Sequence, residues 1–483
     1  MSSVENIPLM IPNIVDSNGD SLEVRSPFDD HVIATVATAN AEVVEQALQN
    51  AKTLFDKRSA WLSLPQRIEI LEKAVQLMRE HSETLAVGAS QEGGKPLADS
   101  RIEMARCIDS LKICIHELRS PADEAVYMGS NTASAHRLTM SVKEPVGVVV
   151  AVSAFNHPLN LIAHQIGPAI ATGCPVIIKP AADTPLSCIR LVEIFYKAGL
   201  PDAWCQFVLP SSISLSESLV TDKRVAFFSF IGSSAVGWYL RSKLAAGTRC
   251  ALEHGGSAPA VVAGDVDLNQ ILPSLMKGAF YHAGQVCVSV QRIFAHQSIA
   301  KELAEQIKER ANALIVGNPL SDETEVGPLI REKEVARVDQ WVQEAIATGA
   351  SLLCGGKKLK NHCYAPTVLF NPSAESKVSS KEIFGPVVCI YPFTDMDKAI
   401  ETANSLDVAF QASVYSRDID TALYVANQLS ASAVMINDHT AFRVDWMPFA
   451  GLRKSGLGVG GIPYTMHDMQ VNKMIVVQSG GLA

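Results

Sequence analysis

The sequence has 483 residues, 48% of them hydrophobic and 19% charged, which indicates a globular protein of two or three domains and excludes a disordered chain. The formal net charge is −9, with acidic and basic residues mixed along the chain, which excludes nucleic acid as the main partner. No run reaches the roughly 18 apolar residues of a membrane helix, and residues 1–12 lack a signal-peptide pattern, so we expect no membrane association.

Helical and extended patterns follow one another from the N-terminus onward. Residues 41–57 and 64–89 have the apolar spacing of helices. From residue 146, short β-branched runs alternate with helical stretches, which is typical of a parallel sheet with helices on its faces. The predicted strands are 146–154, 175–179, 206–209, 225–231 and 250–253, and the predicted helices are 159–171, 185–197, 213–221 and 234–244.

A second alternating block begins near residue 258. Between the two blocks lies His254-Gly255-Gly256-Ser257, a candidate flexible hinge. Two α/β units that meet at a glycine-rich junction indicate a cleft between domains, which is a common place for an active site. The helical and extended segments of the second block are 258–263, 268–283, 300–314, 398–404, 412–415, 419–429 and 433–437.

The ten cysteines are scattered along the chain, and none belongs to a Cys-x-x-Cys pair. This spacing predicts neither a zinc site nor a thioredoxin-type pair, so we expect no bound metal. In a large chain without an export signal the thiols are expected to stay reduced, which predicts a cytoplasmic location.

A glycine-containing turn at 230–237 follows a predicted strand and opens a predicted helix. Glycine lets the backbone approach a ligand closely, and the amide groups at a helix start attract phosphate. The spacing from Gly232 to Gly237 differs from the GxGxxG pattern, and Gly-Ser is also ordinary turn chemistry. The turn is therefore a candidate phosphate site, with an ordinary loop as the alternative.

Three further residues could together act on a carbonyl group. Cys287 follows a turn at Gly284, where a thiol can be held exposed and activated, although a buried structural thiol is the alternative. Glu253 lies at the end of a predicted strand, and Asn156 lies at the end of another. A thiolate, a base and an amide donor are the groups needed for attack on a carbonyl, oxyanion stabilisation and later hydrolysis.

With these residues in place, the sequence resembles the aldehyde dehydrogenase superfamily over nearly its whole length. The resemblance implies NAD(P)-dependent oxidation of a small-molecule aldehyde to a carboxylic acid, through a thioester that water hydrolyses. Seven short blocks in the family's order carry it: Phe155-Asn156-His157-Pro158-Leu159, Lys179-Pro180-Ala181, Phe230-Ile231-Gly232-Ser233, Leu252-Glu253-His254-Gly255-Gly256, Gly284-Gln285-Val286-Cys287, Glu382-Ile383-Phe384-Gly385-Pro386 and Pro448-Phe449-Ala450-Gly451.

The resemblance also implies roles for single residues. Cys287 is expected to be the nucleophile and Glu253 the base, while the Asn156 amide and the Cys287 N–H form the oxyanion hole. Because a free thiol is only a few per cent ionised at neutral pH, the site is expected to lower the thiol pKa or to use a base. The implied cofactor residues are Lys179 at the adenosine ribose, Gly232 and Ser233 at the pyrophosphate, Glu382 and Phe384 at the nicotinamide ribose and ring, and Phe155 and Ala182 beside them.

Two departures from the family pattern affect these expectations. The acidic residue that in many relatives follows the lysine by three positions is Ala182 here. That acid would bind the ribose hydroxyl groups and repel a 2′-phosphate, so its absence leaves both NAD and NADP as expected cofactors. His254 stands where many relatives have leucine, and we expect it to be solvated rather than catalytic.

The resemblance implies an α/β fold with a Rossmann-type cofactor domain, an α/β catalytic domain and a small β arm for oligomerisation. The cofactor domain is expected to span 1–120 and 143–253, and the catalytic domain 254–455. The arm and C-terminal tail would be 121–142 and 456–483. Such an arm joins a neighbour's sheet, so we expect a homodimer or homotetramer, and the β-rich segment 472–478 fits this expectation.

Substrate preference depends on residues at the expected mouth of the aldehyde pocket, where His157, Arg443, Trp446 and Phe449 are implied to line the tunnel. An arginine can bind a carboxylate, phosphate or phosphonate through two charge-assisted bonds, which predicts a short polar or anionic aldehyde. The alternative is that Arg443 pairs with Asp445 within its own loop.

Three other functions stay open from the sequence. A coenzyme A-acylating dehydrogenase would pass the thioester to a thiol, but relatives of that kind typically lack the glutamate, so Glu253 favours hydrolysis. An inactive structural or binding relative would not require Cys287, Glu253 and Asn156 together. A thiol hydrolase would leave the blocks of Lys179 and Glu382 unexplained.

Overall fold

The computed structural model describes residues 4–12, 14, 20–120 and 126–482. The strands in this part of the chain are β1 Glu5–Ile7, β2 Ser21–Arg25, β3 Val32–Ala37, β4 Arg137–Pro145, β5 Val148–Val152, β6 Val176–Lys179, β7 Cys205–Phe207, β8 Val225–Ile231, β9 Arg249–Glu253, β10 Ala258–Val262, β11 Val290–His296, β12 Ser351–Cys354, β13 Thr367–Phe370, β14 Val387–Phe393, β15 Val408–Ala409, β16 Gln411–Tyr415, β17 Ala433–Ile436, β18 Leu452–Arg453, β19 Gly456–Leu457 and β20 Gln470–Gln478.

The α-helices cover the faces of these sheets. Within the described ranges, no helix is both long and apolar enough to cross a bilayer. The helices are α1 Ala41–Asp56, α2 Leu64–Glu80, α3 Ser82–Gly93, α4 Leu97–Arg119, α5 Asn160–Thr172, α6 Pro185–Lys197, α7 Ile213–Thr221, α8 Ser234–Arg241, α9 Leu268–Phe280, α10 Ala300–Ala313, α11 Glu332–Ala347, α12 Lys377–Ser380, α13 Met396–Asn404, α14 Ile419–Gln428 and α15 Ile462–Asp468.

The first sheet has the strand order β19-β9-β8-β5-β6-β7, and every neighbouring pair is parallel except β19–β9. Its central strand β5 is buried throughout, as expected for a parallel strand with helices on both faces. Alternate residues face opposite cores: Val149 and Ala151 pack toward α2–α6, and Val148 and Val150 toward α1. The predicted strand–helix alternation is confirmed here.

The second sheet has the strand order β12-β13-β14-β11-β10-β16-β17, and only the pair β12–β13 is antiparallel. Helices α9, α10 and α11 contribute to the core on one face, and α13 and α14 to the core on the other. The predicted α/β fold class is therefore confirmed in both halves of the chain.

Some helix boundaries differ from the sequence predictions. The segment 64–89 forms two helices that meet at His81, and neither proline nor glycine marks the break. The predicted helix 268–283 ends at Phe280, because His282 and Ala283 have left-handed φ angles of 48° and 54°. Helix α4 was not predicted, since it buries polar side chains among apolar ones and so lacks a clean apolar stripe.

Strands β4 and β20 form a separate antiparallel ribbon, in which Gln470 lies opposite Pro145 and Gln478 opposite Arg137. The predicted arm 121–142 only partly coincides with it, since 121–125 lie outside the described residues and β4 extends to Pro145. The start of the predicted tail, Gly456–Leu457, pairs with β9 of the first sheet instead. Exposed apolar side chains line the ribbon: Leu138, Met140, Val142, Met474, Ile475, Val476 and Val477.

Candidate active site

A cavity of about 560 Å³ lies between the two sheets. The carboxyl ends of β5, β8 and β9 reach it from the first sheet, where parallel α/β sheets bind ligands. Loops of the second half of the chain close it from the other side. Of the residues singled out from the sequence, the cavity is lined by Phe155, Asn156, His157, Gly232, Ser233, Glu253, Cys287, Glu382, Phe384, Arg443 and Phe449.

Cys287 is positioned by a tightly constrained turn after α9. Gly284 has a φ of +70°, and a Cβ at this position would overlap the Gly385 carbonyl group, so the turn requires glycine. The buried Gln285 side chain donates to the Pro328 carbonyl at 3.2 Å and accepts from the Ile330 N–H at 3.0 Å. The turn is thereby fixed to a neighbouring loop, and the Cys287 side chain remains partly exposed toward the cavity.

Asn156 lies in the loop between β5 and α5 and is buried. Its side-chain Nδ2 donates a hydrogen bond to the Gln285 carbonyl at 2.9 Å. An amide nitrogen carries two N–H donors, so the second is free for another acceptor. Because Gln285 stands two residues before Cys287, the bond joins the amide to the cysteine turn.

Glu253 ends β9 and faces the same cavity. Burial raises the pKa of Glu253 to about 7, and the nearby Arg443 only partly opposes this shift. Burial also raises the pKa of the Cys287 thiol to about 12, with further contributions from Glu382 and Glu253. Burial of the thiol therefore opposes the expected lowering of its pKa.

Glu382 and Phe384 lie across the cavity from the first sheet. Burial raises the pKa of Glu382 to about 8, and its Oε1 has no hydrogen-bond partner among the described residues. A Cβ on Gly255 would overlap this carboxyl group, so the two chain segments touch. The Phe384 ring meets the Phe155 ring edge-on, with centroids 5.9 Å apart. An enclosed carboxyl acceptor beside two aromatic rings fits a ribose and a flat heterocycle of a dinucleotide.

Gly232 and Ser233 lie at the junction of β8 and α8, with Ser233 at the N-cap of the helix. Lys179 ends β6, and its Nζ donates to the Pro180 carbonyl at 3.1 Å. Lys179 and Ala182 do not line the cavity, and Ala182 is exposed in the loop before α6.

His254 is buried, with 2% of its surface exposed, so the expectation of a solvated side chain is wrong. Its ring packs between Phe230 and Trp238, and Nδ1 lies 3.0 Å from the Gly232 carbonyl oxygen. A Cβ on Gly237 would overlap the ring, so this glycine provides the space that the histidine occupies.

A polar cluster that no sequence pattern predicted lies at the cavity, which Arg106 and His164 line. Arg106 of α4 binds Asp445 through Nε at 3.1 Å and Nη2 at 2.6 Å, and His164 Nε2 lies 2.8 Å from the same carboxylate. Burial alone would raise the pKa of Asp445, but the bonds from His164 and Arg106 outweigh it and hold that pKa below its ordinary value. Arg106 is 339 residues away in sequence, so no local pattern marks the contact.

Arg443 also lines this cavity. Its Nε is 3.7 Å from Asp445, so the pairing expected as the alternative is present but long. The guanidinium lies over the Phe449 ring at 3.8 Å from the centroid. Its Nη1 is buried without a hydrogen-bond partner among the described residues, and burial lowers the Arg443 pKa to about 10 against the opposing effect of Glu253. The guanidinium therefore retains an unused donor.

The other two expected substrate residues behave differently. His157 is buried, and its Nε2 lies 3.1 Å from the Tyr281 hydroxyl. Burial, together with Lys95 nearby, holds the pKa of His157 well below its usual range, so its ring is neutral. Trp446 is 54% exposed and does not line the cavity, so the expectation that it lines the tunnel is not met in this chain.

Comparison with known proteins extends over the whole chain. The model of the aldehyde dehydrogenase family matches residues 14–475. The chain is 35% identical over 478 residues to the 3-sulfolactaldehyde dehydrogenase of Priestia aryabhattai, which covers 99% of each chain. It is also similar to the crystal structure of aldehyde dehydrogenase 21 from Physcomitrella patens in complex with the reaction product succinate, with a TM-score of 0.94, 32% identity and 99% coverage of both chains.

A second solved structure is the glyceraldehyde-3-phosphate dehydrogenase of Methanocaldococcus jannaschii complexed with NADP. Its TM-score is 0.90 at 34% identity, and the alignment covers 96% of this chain and 100% of that chain.

Replacing Gly284 by alanine is expected to disrupt the cysteine turn. An alanine with left-handed φ costs about 1–2 kcal/mol, and the overlap with the Gly385 carbonyl adds to this. We expect thermal unfolding of Gly284→Ala to show a loss of more than about 2 kcal/mol in the free energy of unfolding. Gly199→Ala is the matched control, since Gly199 has a φ of +99° in open space. Equal losses in the two variants would contradict the overlap.

Proposed function

Since the chain belongs to the aldehyde dehydrogenase family and acts as an oxidoreductase on an aldehyde group, we propose that its substrate is a short aldehyde with an anionic tail. The observation that carries the proposal is the buried, unused Nη1 of Arg443 in a cavity that also holds Cys287 and Glu253. A buried donor without a partner is costly, and an anionic group on the substrate would satisfy it.

Cys287 acts as the nucleophile in this proposal. The thiol first loses its proton to water, and the thiolate sulfur adds to the aldehyde carbon. The carbonyl oxygen becomes an alkoxide that accepts bonds from the Cys287 N–H and the second N–H of the Asn156 amide. The bound dinucleotide, NAD or NADP, supplies the two-electron acceptor for the hydrogen on that carbon. The alkoxide then collapses to a thioester on Cys287.

Glu253 completes the reaction as the base. It takes a proton from water, and the water oxygen attacks the thioester carbon. The carbon–sulfur bond breaks, the carboxylic acid leaves, and the thiolate is restored. A pKa of about 7 suits this step, because the carboxylate is then both available and basic enough at neutral pH. The presence of this base supports hydrolysis rather than transfer to coenzyme A.

The cofactor would bind along the lining from the first sheet to Glu382. Gly232 and Ser233 at the start of α8 suit the pyrophosphate, since helix N-termini attract phosphate. The free Glu382 oxygen suits a ribose hydroxyl group, and Phe155 and Phe384 suit the nicotinamide ring. Lys179, just outside the cavity lining, would meet the adenosine ribose.

An anionic tail would lie against Arg443 and Arg106, which both line the cavity. Asp445 neutralises one of these two charges, because it binds Arg106 through two hydrogen bonds and Arg443 only at 3.7 Å. One cation is thus left for one anionic group. Two similar proteins agree with this class, since one is a 3-sulfolactaldehyde dehydrogenase and the other binds succinate.

We further propose assembly into a homodimer or homotetramer through the β4–β20 ribbon. Its exposed apolar side chains and free strand edge support a protein partner there. The first sheet and its helices would form the cofactor domain, and the second sheet and its helices would form the catalytic domain. All ten cysteines are free, which supports a reducing, cytoplasmic location.

The Glu253→Gln variant is expected to show a burst of reduced cofactor followed by slow turnover, because the thioester forms but is not hydrolysed. Stopped-flow nicotinamide absorbance measures both phases. In the wild type, kcat should fall as pH falls through about 7, because protonation removes the base. This fall in kcat at low pH should be absent from Glu253→Gln. Cys287→Ala is the blank, with neither burst nor turnover and with dinucleotide binding intact. Loss of the burst in Glu253→Gln would instead assign Glu253 to activation of the thiol.

The Arg443→Leu variant tests the anionic tail. A hydrogen bond to a charged group is worth roughly 1.5–3 kcal/mol, so kcat/KM for succinic semialdehyde should fall about 10- to 100-fold relative to propanal. The ratio of the two substrates is the readout, because Arg443 also favours the thiolate and its loss affects both. Wild-type preference for hexanal or benzaldehyde, or an unchanged ratio in the variant, would refute the anionic-tail proposal.

The Ala182→Glu variant tests cofactor choice. Ala182 presents neither bulk nor negative charge, so the wild type should accept NADP as well as NAD. A carboxylate there should shift the NAD/NADP ratio of kcat/KM about tenfold toward NAD, through repulsion of the 2′-phosphate. Ala182→Gln is the matched control of equal size without charge. If Gln shifts the ratio as much as Glu, charge is not the cause.

A further inference from the structure

A buried ion pair lies behind the cavity wall. Lys95, in the loop between α3 and α4, binds Glu103 of α4, and the two residues are 0% and 1% exposed. Neither lines the cavity. Buried ion pairs are poor stabilisers, since apolar side chains of similar volume often do as well or better. Stability alone therefore does not explain why two charges are placed here.

The pair contacts the loop that carries Asn156 at two places, at Asn156 itself and where α5 begins. Lys95 Nζ donates to the Asn156 carbonyl at 3.3 Å. Glu103 Oε1 accepts from the N–H groups of Leu159 and Asn160, each at 2.9 Å, and Glu103 Oε2 accepts from Lys95. The backbone of Asn156 is thus linked to the start of α5 through one carboxylate and one ammonium group. Hydrogen bonds that involve a charged group are stronger than neutral ones.

The loop that carries Lys95 is held in place by contacts with a second loop. Gly94 has a φ of +71°, and a Cβ on Gly327 would overlap the Gly94 carbonyl, so the two loops are in contact. The Leu97 N–H donates to the Pro319 carbonyl at 2.9 Å. The loop that precedes α4 is therefore fixed to the same part of the chain that holds Gln285 in front of Asn156.

We propose that Lys95 and Glu103 are positioning residues that act through Asn156, by holding its amide where the oxyanion forms. This inference rests on the proposed function, because it requires that the Asn156 amide binds the oxyanion. Displacement of a reacting or stabilising group by about 1 Å can cost roughly 100-fold in rate, so a rigid support behind the amide bears directly on turnover.

The double variant Lys95→Met/Glu103→Gln removes both charges at nearly constant volume. We expect kcat/KM for the aldehyde to fall about 10- to 100-fold, while the KM for the dinucleotide stays the same. Alkylation of Cys287 by iodoacetamide should keep its rate, since that displacement forms no oxyanion. Cys250 is also partly exposed, so the alkylation rate of Cys287→Ala is measured as the background. An equal fall in alkylation rate would show a general disturbance of the thiol turn and overturn the proposal.

A double-mutant cycle with Asn156→Ala decides whether the pair acts through the amide. In the Asn156→Ala background the same double variant should cost less than about threefold, because the group being positioned is already absent. A fall of the same size in both backgrounds would overturn this inference and leave the oxyanion role of Asn156 intact. Wild-type turnover by Asn156→Ala itself would instead overturn that role, and this inference with it.

Glu92→Gln is the matched control. Glu92 is also a buried carboxylate that accepts two backbone N–H bonds at a helix start, from Leu186 at 2.8 Å and Ser187 at 2.7 Å, but its side chain has no hydrogen bond to Asn156 among the described residues. Its loss should lower the Tm and leave kcat/KM within about twofold. If the double variant does not fold, Glu103→Asp replaces it, since this change keeps both charges and shortens the side chain by one methylene. A loss of about tenfold that disappears with Asn156→Ala is then expected, and no loss would overturn the proposal.

Discussion

Close approach of backbone segments between the two sheets determines the geometry of the cavity. A Cβ on Gly255 would overlap the Glu382 carboxyl group, and one on Gly460 would overlap the Glu253 side chain. The Gly284 contact with Gly385 sets the cysteine turn in the same way. These contacts bring two carboxyl groups and a thiol from three segments of the chain into one enclosed space. Larger side chains at these positions would separate them.

Enclosure then sets the charge state of the site. The same burial raises the pKa values of Glu253, Glu382 and Cys287 to about 7, 8 and 12 and lowers that of Arg443 to about 10. Every charged form is disfavoured, because each has lost water without gaining a close partner of opposite charge. A charged ligand that binds in the cavity would therefore shift the pKa values of these groups.

The sequence predicted some residues of the cavity better than others. Asn156, Glu253 and Cys287 each follow a short block with a recognisable local signature, and the structure brings all three to one cavity. Arg106 had no such signature, because its helix mixes buried polar and apolar residues and its partner Asp445 is far away in sequence. Burial of His254 was also hidden, since it depends on the space left by a glycine in another element.

The pairings that join the two ends of the chain have a consequence for protein synthesis. Strand β4 and its partner β20 are separated by roughly 330 residues, as are Arg106 and Asp445. While the ribosome is still translating, β4 therefore presents an apolar, hydrogen-bonding edge with no partner, which is a template for aggregation. We therefore expect the nascent chain to need chaperones most between the synthesis of β4 and that of β20. A chain terminated before residue 445 would lack both β20 and Asp445.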